Sequence, residues 1–192
     1  AGRTWQRQPL PANLAAALLK AKAVHLAALN AQEGWIAADL AQSSNFSRGR
    51  LWYTADGGAS WQERSLPLGG APQFVSRQVG WLAGGPRGDA LWRTGDGGRT
   101  WQAQPPPHSP AAGERVQVYT PLFAADGQNA VLPLLVRSDG GQRAEWYVSG
   151  DGGATWRWLG SLEGRFTDLF ITRAGEVWLW STWEVEGTLS SI

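Results

Sequence analysis

One eight-residue phrase occurs three times in this 192-residue chain and limits what the chain can fold into. Thr54-Ala55-Asp56-Gly57-Gly58-Ala59-Ser60-Trp61 returns as Thr94-Gly95-Asp96-Gly97-Gly98-Arg99-Thr100-Trp101 and as Ser149-Gly150-Asp151-Gly152-Gly153-Ala154-Thr155-Trp156. A short aromatic run precedes each copy: Leu51-Trp52-Tyr53, Leu91-Trp92-Arg93 and Glu145-Trp146-Tyr147-Val148. An aromatic run, Asp-Gly-Gly and a second Trp-bearing run form a hairpin signal. The Gly pair supplies positive φ without a Cβ penalty, and the Asp carboxylate can accept hydrogen bonds from turn amides. The Ser or Thr two residues earlier offers a hydroxyl to the same loop. The closing Trp is too large for a lone hairpin to bury, so it is expected to wedge against a neighbouring unit.

The pattern S/T-x-D-x-G-x-x-W resembles the Asp box, or bacterial neuraminidase repeat. In families that carry it, the box joins the third and fourth strands of a β-propeller blade, away from the ligand-binding face. The resemblance implies that Thr54, Asp56, Gly58, Trp61, Thr94, Asp96, Gly98, Trp101, Ser149, Asp151, Gly153 and Trp156 are structural, as the turn chemistry also suggests.

Other repeats extend the pattern. Gly2-Arg3-Thr4-Trp5-Gln6 matches Gly98-Arg99-Thr100-Trp101-Gln102, so the chain begins in the tail of a fourth box. Residues 13–30 are Ala- and Leu-rich and favour helix locally, but the repeat spacing wants an inner strand near Ala23 to Ala28, after a short helical turn. Gly34-Trp35-Ile36-Ala37-Ala38 reads as the next strand, echoed by Gly80-Trp81-Leu82-Ala83-Gly84 and by Val177-Trp178-Leu179-Trp180. Pro105-Pro106-Pro107-His108-Ser109-Pro110 reads as a stiff connector outside any sheet.

Box tryptophans at 5, 61, 101 and 156 imply four units of about 48 residues, a sensible blade length. Reading Ser190-Ser191-Ile192 into Ala1-Gly2-Arg3-Thr4-Trp5 rebuilds a box that lacks only its Asp. The expected fold is all-β: one propeller domain over 1–192 with about four four-stranded blades, closed by the N-terminal strand. The approximate blades are 12–67, 68–107, 108–160, and 161–192 completed by 1–11. The alternative is that these residues are part of a larger propeller.

The order Trp5-Gln6, Leu10-Pro11, Gly34-Trp35, Leu51-Trp52 and Thr54 to Trp61 resembles the photosystem II stability/assembly factor-like family, well over 1–102 and more loosely over 103–192. That resemblance implies a non-enzymatic, extracytoplasmic propeller that binds a partner protein during assembly, usually with about seven blades. It transfers no binding residue.

Composition narrows the partners. A net charge of +1 provides no global field for nucleic acid, and no apolar run approaches the roughly 18 residues that span a membrane. The absence of Cys removes thiolate chemistry. The start at Ala1-Gly2 fits either a removed signal peptide, hence a secreted or periplasmic protein, or an excised piece. Fifteen Arg against two Lys fits a high-GC genome or an Arg-lined binding face.

Catalysis finds few candidates. Sialidase chemistry needs a Tyr nucleophile with a Glu partner, an Arg clamp and an acid Asp. The tyrosines are Tyr53, Tyr119 and Tyr147; two of these adjoin boxes. His25 lies on an apolar stretch and His108 in the Pro-rich connector, so both read as core or solvated side chains. No cofactor, metal site or catalytic residue is expected. Trp35, Trp81 and Trp178 hold equivalent places in three units, where inter-blade core is the simpler reading and a ligand-stacking ring the sharper one. Arg48, Arg50, Arg87 and Arg115 are expected in loops, where they can meet an acidic partner. An exposed site dominated by Trp would favour a glycan, and one dominated by Arg a protein. The expected function is a non-enzymatic protein-binding or assembly-factor-like module; the alternative is a carbohydrate-binding, sialidase-like propeller without catalytic groups.

Overall fold

A computed structural model of the chain describes residues 8–41, 47–163, 168–171 and 177–180. The rebuilt fourth box (Ser190 to Trp5) and ring closure by the N-terminal strand lie outside these residues. The chain separates into two compact units, one of residues 1–106 with 118–121 and the other of 107–117 with 122–192.

The first unit opens with helix α1 (Ala12–Lys20) and strands β1 (Ala21–Ala28), β2 (Gly34–Ala41), β3 (Ser47–Thr54) and β4 (Gln62–Arg64), which form an antiparallel meander in chain order. A second four-stranded meander follows, of β5 (Gln73–Phe74), β6 (Gly80–Gly84), β7 (Ala90–Thr94) and β8 (Gln102–Gln104). In the other unit, β10 (Leu122–Phe123), β11 (Ala130–Ser138), β12 (Gly141–Ser149) and β13 (Arg157–Glu163) line up in order, and β9 (Arg115–Val118) also pairs with β11. A hairpin of β14 (Asp168–Ile171) and β15 (Val177–Trp180) completes the described elements.

The architecture is therefore β-rich, with three antiparallel sheets of four or five strands. It departs from an all-β chain at α1, a nine-residue helix where only a short helical turn was expected. Ala and Leu propensity favours this helix, and packing secures it. Leu14, Ala17 and Leu18, spaced i, i+3, i+4, face one side of the first sheet.

Period-two alternation explains how that sheet is used. Ile36, Ala38 and Trp52 point towards α1, and Trp61 packs there too. Trp35, Ala37, Leu51 and Tyr53 point the other way, onto Phe74 and Leu82 of the second sheet. The Trp35 and Phe74 rings stack 3.8 Å apart with planes only 2° from parallel.

The three repeated phrases form the same turn. In the second copy Thr94 Oγ1 donates to Asp96 Oδ1 (2.9 Å) and accepts from the Gly98 amide (2.9 Å). Asp96 also receives the Thr100 amide (2.9 Å) and hydroxyl (2.6 Å). Thr54/Asp56/Gly58/Ser60 and Ser149/Asp151/Gly153/Thr155 reproduce these bonds. Gly97 and Gly98 sit at φ 75° and 86°, and a Cβ on Gly97 would come within 2.6 Å of the Arg77 carbonyl oxygen. The Gly57, Gly97 and Gly152 amides donate to Gln32, Gln78 and Gln128 carbonyls, tying each turn to its sheet's first hairpin. Trp101 wedges towards the neighbouring sheet: its indole N–H donates to the Ser65 carbonyl at 2.9 Å and its ring meets Phe74 edge-on.

Two outcomes follow. Thr94→Val should cost about 1–3 kcal/mol in urea unfolding by stranding the Gly98 amide, while Thr94→Ser should be near neutral because Ser149 already fills that role. Hydroxyl and amide donors from Ser60 hold the Asp56 carboxyl at about 2, and those from Thr155 do the same for Asp151. At Asp96, burial opposes the shift, but the Thr100 and Thr94 donors outweigh it and again give about 2. Folded values below unfolded ones contribute stability that is present above about pH 4 and lost as pH falls through about 2. The urea midpoint should therefore drop between those values, and more shallowly in Asp96→Asn.

Candidate functional site

In the first sheet the repeated turn and the β1–β2 turn share one end, which leaves the opposite end to the start of β1, the end of β2, the start of β3 and the end of β4. Register places Leu40 between Ala21 and Arg48, and Leu51 opposite Arg64. A cleft of about 670 Å³ opens there, lined by Lys20, Leu40, Arg48, Arg50, Glu63 and Arg64, together with Gly49, Ser65 and Leu66. Gly49 lets the chain after β4 approach, because a Cβ there would collide with the Leu66 side chain and the Leu68 carbonyl.

Four basic side chains face one acidic one in this lining, and their roles differ. Arg50 binds Glu63 through Nε at 2.9 Å and lies 4.8 Å over the Trp52 ring. Arg64 stacks 5.3 Å over Tyr53 and donates to Gln62. Burial, then repulsion from Arg99, pulls its guanidinium below the usual value. Lys20 and Arg48 are exposed and form no ion pair with a described residue. These two are the cleft's available positive charges.

The expected site residues are dispersed. Trp35 and Trp81 are 2% and 1% exposed, inside the sheets, where they cannot stack on an external ligand. Trp178 lies on β15, and its side chain is outside the described residues. Arg48 and Arg50 sit on β3 and not in a loop, because β3 pairs with β2 back to Ser47. Arg115 likewise opens strand β9, while Arg87 is exposed in the β6–β7 turn as expected. Only Arg48 and Arg50 meet in the cleft. Lys20, Glu63 and Arg64 were not singled out from sequence, although the Arg48/Arg50 alternation marks one strand face.

The second unit holds a different cluster. Arg143, Glu145 and Tyr147 alternate along β12 and so share a face. Glu145 Oε1 receives Arg143 Nε at 2.8 Å, and Oε2 receives the Tyr147 hydroxyl at 3.0 Å. His108 is not a solvated connector side chain: its Nδ1 lies 2.9 Å from Glu145 and its Nε2 3.2 Å from Glu114. Arg143 also meets Glu114 at 2.9 Å. The backbone N–H of Ala111 and then Arg143 hold the Glu114 carboxyl at about 2. Burial, reinforced by the Glu145 charge, pushes Tyr147 up to about 12, which makes it a hydrogen-bond donor and a poor nucleophile. His25, on β1, contacts Asp39 at 3.2 Å, and that carboxylate also receives the Gly70 amide. Among the described residues no group of His, Asp and Glu has the arrangement of a metal site. No helix among them is long and apolar enough to cross a membrane.

No family model and no curated protein matches the chain. Among solved structures it is similar to one titled "YCF48 bound to D1 peptide", at 15% identity over 72% of this chain and 81% of that one, with a TM-score of 0.28.

Tyr147→Phe removes one of three donors to a carboxylate that is 5% exposed, and is expected to lower unfolding stability by about 1.5–3 kcal/mol in urea titration.

Proposed function

We propose that this chain is a non-enzymatic, protein-binding β-propeller of the Asp-box kind, with about four blades, working outside the cytoplasm. Three antiparallel sheets of four or five strands, each with the same turn joining its last two strands, support the propeller reading. The resemblance to assembly factors supports the role and the compartment.

One observation carries the binding assignment: a cleft opens at the sheet end opposite the repeated turn, with Lys20 and Arg48 exposed and unpaired beside apolar Leu40. Such a surface suits an acidic, extended segment of a partner protein. Steering by two cations and an apolar floor requires no reacting group. A glycan site would need exposed aromatic rings, and the cleft lining has none, with Trp35 and Trp81 buried and the exposed Trp158 not among its residues. Neither exposed cation forms an ion pair with a described residue, and Lys20 contributes only its charge in the last turn of α1, so charge can be altered there without unfolding the sheet.

The test is titration of an immobilised acidic peptide library against the wild-type chain and the double variant Lys20→Glu/Arg48→Glu. Reversing two cations is expected to weaken binding about 10- to 100-fold, with a reduced salt dependence and a urea midpoint lowered only slightly by loss of the Lys20 charge from the last turn of α1. Equal binding by both proteins would remove the cleft from the function.

A further inference from the structure

The His108 cluster carries an inference that does not depend on the cleft. Both imidazole nitrogens face carboxylate oxygens, Nδ1 towards Glu145 Oε2 and Nε2 towards Glu114 Oε2. A neutral imidazole has one donor and one acceptor nitrogen, whereas the imidazolium has two donors. The carboxylates already act as acceptors on both sides. Glu145 takes Arg143 on Oε1 and Tyr147 on Oε2, and Glu114 takes Arg143 on Oε1 and the Ala111 amide on Oε2.

Charge counting then depends on the ring. With both nitrogens protonated, His108 and Arg143 balance Glu114 and Glu145. With one proton gone, a net negative charge remains where the His108, Glu114 and Glu145 side chains are 12%, 13% and 7% exposed. One ring lone pair then points at a carboxylate, in surroundings that screen poorly.

We infer that His108 is a pH-dependent clasp that fastens the Pro-rich segment 107–113 to β12 through its contact with Glu145, braced from the segment's own end by Glu114. The groups facing the ring are Glu114, from the segment's own end, and Glu145, from β12; Arg143 and Tyr147 of β12 face those carboxylates in turn. The clasp is closed on the imidazolium. It opens as pH rises and the ring loses the Nδ1 proton that Glu145 accepts. Pro107 stiffens the segment at His108, so the ring moves off Glu145 while Arg143 and the Ala111 amide keep Glu114 in place. Acid also loosens the cluster, but far lower, where Glu114 itself takes up a proton.

The experiment is an NMR pH titration of the full chain. It follows the ring ¹⁵N shifts of His108, assigned with His25→Gln, alongside the nuclear Overhauser effect between the His108 ring protons and the Glu145 side chain. The expected result is two protonated ring nitrogens while that effect is present, and its loss in step with loss of the ring proton. His108→Gln, neutral throughout, should show no pH step in the amide shifts of 107–113. The inference is overturned if the wild-type ring loses its proton with the effect undiminished. It is equally overturned if His108→Gln shows the same step. The wild-type titration decides the matter even if the variant does not fold.

Discussion

A single buried hydroxyl in each repeated turn sets the geometry on which the sheets depend. Thr54, Thr94 and Ser149 each donate to an Asp carboxylate and accept a Gly amide, so one small side chain satisfies a turn donor that water cannot reach. The amide of the Gly before that donor donates in turn to a carbonyl of the sheet's first hairpin, which locks two turns together at one sheet end. In the first sheet the opposite end is left to the start of β1, the end of β2, the start of β3 and the end of β4. The cleft of the first sheet lies at that end for this reason.

The same sheet shows how burial on two faces is divided. Its even-numbered face would expose Ile36, Ala38 and Trp52 if nothing covered it, and α1 does so with Leu14, Ala17 and Leu18. Its odd-numbered face is covered by the second sheet. The helix ends at Lys20, whose charge suits a helix C-terminus and also stands at the mouth of the cleft. The element that closes the apolar face thus contributes one of the cleft's two available cations.

The residues most legible in the sequence were those whose local chemistry leaves little choice. Asp-Gly-Gly after an aromatic run specifies its turn whatever surrounds it, and Gly34-Trp35 and Gly80-Trp81 open strands because their alternation matches a pleat. Ala12–Lys20 was less legible because repeat spacing and helix propensity pointed different ways, and contact with Ile36 and Trp52 decided between them. Arg48 and Arg50 were expected in a loop, and they flank Gly49, a poor strand former whose place in β3 is explained by the close approach of Leu66 and Leu68. The His108 cluster was hidden because its partners lie 6 and 37 residues away, beyond any local pattern. Only the Arg143/Glu145/Tyr147 alternation on β12 hinted that one face of that strand was polar.

The two polar groupings differ in what their charges are free to do. In the His108 cluster every charge is committed: Arg143 is divided between two glutamates, and even the Tyr147 hydroxyl is engaged. Low exposure makes such a set costly to unbalance, so it responds to protons more readily than to partners. In the cleft, Arg50 is held by Glu63 and Arg64 by Tyr53, but Lys20 and Arg48 remain in water with nothing to release before binding. A partner carboxylate would meet them without first breaking an internal pair. The cleft is therefore the better place for recognition, and the committed cluster the better place for a switch.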